Sequence, residues 1–262
     1  MMKKGMKYLF FLSLLCLAAT SLATEEADVH KSNVVIILDA SGSMTKNMSG
    51  TRIQKMEAAK TALKEVLKTV PRDTNIGLLV FSGVNVRNDW VYPLGPRDDQ
   101  KLTISINMIQ AGGGTPLGSY IKKGADMLLQ QKGRQMGYGA YRLLIVTDGE
   151  AQDIDLVERY TPDVLSRGIA IDVIGVEMAQ NHTLAKKVNS YRKANDPASL
   201  KKAIAEVFAE VSDQGAGNLS QAAFEIIKPL SDDVAEAMLG ALAGADNKPI
   251  GEHAGTGEMR NR

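Results

Sequence analysis

Two rhythms of hydrophobic residues run along this chain. Residues 34–38 read Val-Val-Ile-Ile-Leu, continuously apolar and largely β-branched, the pattern of a strand covered on both faces. The runs 76–81, 143–146 and 169–174 repeat it. Between them the period lengthens. Ile53, Met56, Leu63, Leu67 and Val70 recur at three- and four-residue steps or their sums, a helical face that Pro71 stops. Alternation over residues 84–91 predicts a short edge strand, and residues 98–110 a small helix carrying Leu102, Ile106 and Ile109. Thr115-Pro116 restarts the chain into a helix marked by Leu117, Ile121, Ala125 and Leu128, and Thr161-Pro162 opens a short one closing at Gly168. Asp196-Pro197 caps a last helix with Leu200, Ala203, Ile204, Val207, Phe208 and Val211 on one stripe. Strands alternating with helices predict an α/β fold, a doubly wound, mostly parallel sheet flanked by helices.

The two ends have a different character. Lys3, Lys4 and Lys7 precede an apolar run over residues 8–19, and Ser21-Leu22-Ala23 supplies small residues at −3 and −1. This reads as a signal peptide over residues 1–23, cleaved after Ala23, and the apolar run is shorter than the ~20 residues of a membrane-spanning helix. A polar leader follows over 24–32, the α/β domain over 33–212, and a C-terminal extension over 213–262. Within the extension, residues 219–230 and 231–242 predict two weak helices, and 244–262 a polar, glycine-rich, disordered end. No later run is long and apolar enough to cross a membrane. The expected location is extracytoplasmic, periplasmic or secreted.

Charge and composition remove several classes of function. Of 31 basic and 30 acidic residues, Lys3, Lys4 and Lys7 fall in the signal, which leaves 28 against 30, a balance of −2. With 5% aromatic residues, the chain lacks the basic surface and the stacking rings that nucleic acid requires. Cys16, the single cysteine, lies in the signal, so disulfides, thiolate metal sites and cysteine nucleophiles are excluded from the mature chain. His30, His182 and His253 are isolated from any candidate nucleophile. Gly112, Gly113 and Gly114 lack the Gly-Lys-Ser/Thr ending of a phosphate loop.

The candidate chemistry gathers where strands end, since ligands of open α/β sheets bind at the carboxyl ends of the strands. The first strand ends in Asp39-Ala-Ser41-Gly-Ser43, the glycine break ends in Thr115, and the third buried strand ends in Thr147-Asp148-Gly149. Together Asp39, Ser41, Ser43, Thr115 and Asp148 supply hard oxygen donors without nitrogen or sulfur, a set suited to Mg²⁺ or Mn²⁺. Neutral hydroxyls leave much of such an ion's charge unquenched, so an open position would attract an acidic oxygen from a partner protein. Met44 and Met48, with Lys46 and Asn47, are expected to border this metal site. Asp153 and Asp155 are close enough in sequence for a second metal site, but a solvated loop is the preferred account of them.

The run Val34-Val-Ile-Ile-Leu-Asp-Ala-Ser-Gly-Ser-Met44, with Gly113-Gly-Thr-Pro-Leu117 and Leu144-Ile-Val-Thr-Asp-Gly149, resembles the von Willebrand factor type A (vWA) domain over residues 33–212. The resemblance implies a Rossmann-like sheet and a metal-ion-dependent adhesion site. Ser41, Ser43 and Thr115 would then coordinate the ion, with Asp39 and Asp148 holding it directly or through water. All five positions are filled. The expected function is an exported, non-enzymatic adhesion or interaction module that grips an acidic side chain of a partner protein through the cation. One alternative is a structural scaffold of an envelope complex that docks through the C-terminal extension. Another, with no general base in view, is a metal-dependent hydrolase.

Overall fold

The computed structural model describes residues 30–178, 183–215 and 249–252. The predicted signal peptide, most of the leader, the two weak helices of the extension, His182 and His253 lie outside these residues.

The apolar run at 34–38 becomes β1 (Asn33–Ala40), buried along its whole length. It lies at the centre of a six-stranded sheet and pairs in parallel with β2 (Asn75–Ser82) on one side and β4 (Tyr141–Thr147) on the other. Beyond β4 come β5 (Ala170–Val176) and β6 (Ser190–Ala194), both parallel, and beyond β2 comes the antiparallel edge strand β3 (Trp90–Gly95). The order is β3-β2-β1-β4-β5-β6. The chain therefore builds outward from β1 in one direction, then returns and builds in the other. The switch point lies between β1 and β4.

Alternate residues of β1 serve opposite faces of the sheet. Val34, Ile36 and Leu38 pack with α1 (Lys55–Leu67), α2 (Asp99–Met108) and α5 (Pro197–Gly215); Val35 and Ile37 pack with α3 (Leu117–Arg134) and α4 (Ile154–Ser166). Two cores on one sheet explain why its strands read as unbroken apolar runs. Among the described residues, no helix is long and apolar enough to cross a membrane.

Several boundaries differ from the sequence reading. The edge strand is not at 84–91, because the Asn88 carboxamide accepts from the Trp90 N–H at 3.1 Å and turns the chain there, so pairing starts only at Trp90. Thr161-Pro162 does not open a helix. It lies inside α4, which begins at Ile154 and is anchored against α3 by Val157 and Val164. Ile53 precedes α1 and is 45% exposed, so it is not part of the helical face. β6 went unforeseen, since Ser-Tyr-Arg-Lys-Ala carries no apolar alternation. Residues 249–252, placed by sequence in a disordered end, pack against the α3–α4 seam. Ile250 is buried there, with its N–H on the Asp126 carboxylate at 2.7 Å and the Gly251 N–H on Asp163 at 2.7 Å.

Candidate functional site

At the carboxyl end of β1 the chain turns sharply through a short 3₁₀ segment (Gly42–Thr45). The turn is tied by Asp39, whose Oδ1 accepts from the Ser41 N–H at 2.7 Å while its Oδ2 accepts from the Thr147 hydroxyl of β4 at 2.6 Å. Asp39 is fully buried. Burial pushes its carboxyl above the ordinary value, against the opposing pull of hydrogen bonds from Ser41 and Thr147, and the nearby Asp148 carboxylate pushes it further in the same direction.

From there a train of oxygens leads outward. Ser41 Oγ lies 3.0 Å from Ser43 Oγ, and the Ser43 hydroxyl donates to Asp148 Oδ1 at 2.6 Å. Residues 105 apart in sequence thus meet across the switch point. The glycine loop comes alongside: Gly42 N–H donates to Gly113 O at 3.0 Å, and Gly112 N–H to Ala40 O at 2.7 Å. Gly113 has φ +104°, and a Cβ there would come within 3.0 Å of Ser82 Cβ, so this close approach calls for glycine. Thr115 is held by its backbone, its N–H donating to Gln152 Oε1 at 3.0 Å and its carbonyl accepting from Gln152 N–H at 2.9 Å. That clamp leaves the threonine hydroxyl out. A Cβ on Gly114 would overlap the Gln152 amide, which fills the space a side chain would take.

The structure therefore brings Asp39, Ser41, Ser43 and Asp148 into one hydrogen-bonded chain and seats the Thr115 loop directly against it. Among the described residues no group of three or more His, Cys, Asp or Glu side chains could hold a metal ion, so any ion here would depend on the hydroxyls.

The remaining candidates have other roles. Met44 and Met48 offer no exposed surface to a partner. Both are buried, anchoring the loop after β1 into the core. Asp153 and Asp155 form no second site: Asp153 accepts from the Gly118 N–H at 2.8 Å and from the Ser119 N–H and hydroxyl at 2.9 Å, so it caps a helix other than its own. The His30 ring packs at a tilt against Tyr138, at the opposite end of the sheet from Asp39.

Sequence reasoning missed Lys55, Glu177 and Gln152. The Lys55 ammonium lies 2.9 Å from Asp148 Oδ2 and 3.8 Å from Glu177 Oε2. Glu177, just past β5, has φ +50°, a conformation that costs a non-glycine residue about 1 kcal/mol or more, and its other oxygen accepts from the Ser49 N–H. Lys55 opens α1, a position that only the structure fixes. A lysine as first residue of a helix opposes the helix dipole and calls for a partner carboxylate.

The model of the von Willebrand factor type A domain matches residues 33–214. The chain belongs to this family. The vWA chain is 25% identical over 234 residues to the uncharacterized protein YwmC of Bacillus subtilis (strain 168), covering 80% of this chain and 98% of that one. It is also 29% identical over 126 residues to YwmD of the same organism, 43% of this chain and 55% of that one. Among solved structures, it is similar to the pilus adhesin SpaC from Lactobacillus rhamnosus GG (TM-score 0.56, 15% identity, 69% of this chain and 30% of that one). A von Willebrand factor type A protein from Catenulispora acidiphila is likewise similar (TM-score 0.52, 23% identity, 71% of this chain and 43% of that one). The vWA chain spans less than half the length of either solved chain, and at these identities the likeness concerns the fold.

Proposed function

We propose that this vWA domain is an exported, non-enzymatic interaction module that binds a partner protein through a divalent cation, Mg²⁺ or Mn²⁺. The observation that carries the reading is the oxygen train from Asp39 through Ser41 and Ser43 to Asp148, beside the Thr115 loop at the sheet's switch point. Its steps of 3.0 and 2.6 Å compare with the separation of about 2.9 Å between neighbouring ligands of an octahedral ion bound at 2.0–2.1 Å. Ordinary hydrogen bonds have the same length, so the fit rests equally on the donor chemistry, all hard oxygen. Ser41, Ser43 and Thr115 would hold the ion, and Asp39 and Asp148 would hold it directly or through water. A bound ion would supply a positive charge for an acidic oxygen of the partner. The buried Asp39 fixes the Ser41 turn, the Thr147 hydroxyl fixes Asp39, and the Gln152 clamp fixes Thr115. Membership of the vWA family supports an interaction role.

The test is a calorimetric titration of the full chain with MgCl₂ or MnCl₂, paired with recovery of extracytoplasmic proteins in Mg²⁺ and after chelation. Saturable ion binding is expected, together with partners that are released by chelator and never retained by Asp39→Ala. Partner recovery that survives both chelation and Asp39→Ala would overturn the cation bridge.

A further inference from the structure

We propose that Lys55 is a tethered monovalent cation that competes with the divalent ion for Asp148 and so sets how tightly the site holds that ion. Glu177 is the carboxylate that receives the ammonium when the ion arrives. This rests on the metal-binding reading above and concerns how that same site is tuned.

Both oxygens of Asp148 are engaged, Oδ1 by the Ser43 hydroxyl at 2.6 Å and Oδ2 by the Lys55 ammonium at 2.9 Å. The Asp148 side chain is fully buried, with Lys55 10% and Glu177 12% exposed, so water and salt screen these charges weakly. An ion held among Ser41, Ser43 and Asp148 would share the carboxylate with a like charge. Each cation then weakens the hold of the other, and a double charge displaces a single one where Na⁺ or K⁺ would not.

Helix stability does not account for the lysine, since a cation at the first position of α1 opposes the helix dipole. Nor is it interchangeable with Lys60 on the same helix, whose ammonium is taken by Glu57 at 2.9 Å and lies 3.4 Å from Asn107 O. Glu177 is built to receive it. Its backbone N–H is fixed on Ala194 O at 2.9 Å, its Oε1 is held by the Ser49 N–H, and its Oε2 faces the ammonium at 3.8 Å. The ammonium needs to move little to exchange one carboxylate for the other.

The experiment titrates the full chain with Mn²⁺, read by the loss of the free-ion electron paramagnetic resonance signal, with circular dichroism to confirm folding. Lys55→Gln and Lys55→Met are expected to bind Mn²⁺ roughly tenfold more tightly than the natural chain, the least effect an adjacent charge has on a carboxylate's proton. Glu177→Gln, at the rim and still able to accept from Ser49, is expected to bind about threefold or more weakly, because Lys55 then stays on Asp148. The double variant Lys55→Gln/Glu177→Gln should match Lys55→Gln alone. A natural chain silent to Mn²⁺ whose Lys55→Gln variant binds would also support the proposal. Equal or weaker binding by both Lys55 variants, with the natural chain binding, overturns the competition and leaves the metal site standing. If neither the natural chain nor any variant differs from an Asp148→Asn reference, the metal reading itself falls, and the competition with it.

Discussion

Asp39 places a carboxyl where solvent cannot reach it, and the folded chain answers with donors from Ser41 and Thr147 rather than with a cation. Because burial raises its carboxyl above 3.8, the folded protein holds that proton more tightly than the unfolded chain does. The sign follows: the stability owed to this group is complete below about pH 3.8 and is lost as pH rises through the higher folded value. In chelator, Asp39→Asn should therefore melt above the natural chain at pH 7, and the gap should close as the pH is lowered towards 4. A lower melting temperature for Asp39→Asn at pH 7 would contradict this. The five oxygen residues were legible because each directly follows a strand or a glycine break that the hydrophobic rhythm locates. Lys55 and Glu177 were not. They meet Asp148 only through tertiary packing, and nothing local to Glu177 announces its left-handed backbone.

The loop between β4 and α4 combines three duties within six residues. Asp148 faces the serines of β1's turn, Gln152 clamps Thr115 at both backbone atoms, and Asp153 caps α3. The two loops that supply Asp148 and Thr115 are therefore tied to each other. Asp153→Ala should cost about 1 kcal/mol of stability in urea unfolding, the ordinary loss of an N-cap, and an unchanged midpoint would show that the cap is redundant. Gln152→Ala should change stability by about 1 kcal/mol or less, since its bonds lie near solvent, yet lower Mn²⁺ affinity severalfold by freeing Thr115. Equal Mn²⁺ binding would separate Thr115 from the site. At this scale the buried strands were legible because two covered faces leave no polar alternation to confuse. The edges were not. β3 carries Pro93, and β6 carries Arg192 and Lys193, residues that keep an edge from pairing further and erase the pattern that would reveal it.

Across the whole molecule, the sheet joins two cores, and residues 249–252 close one of them from far along the chain. Ile250→Ala should cost roughly 2 kcal/mol, at the low end for a buried aliphatic truncation because the segment can shift outward to relax. A denaturation midpoint equal to that of the natural chain would show that the segment opens independently of the fold. A single isoleucine among Lys, Pro, Gly and Glu gives no rhythm to read, so its packing could come only from the structure.

The direction of the strands has a consequence for presentation. β1 runs from Asn33 towards Asp39, and α5 runs back so that Glu210, near its end, meets Arg142 at the start of β4. The backbone thus enters beside Asn33 and leaves α5 at the same pole, the one farthest from the oxygen train. Whatever surface or neighbouring segment grips either flank, the oxygen-lined apex points away from it, towards whatever approaches from outside.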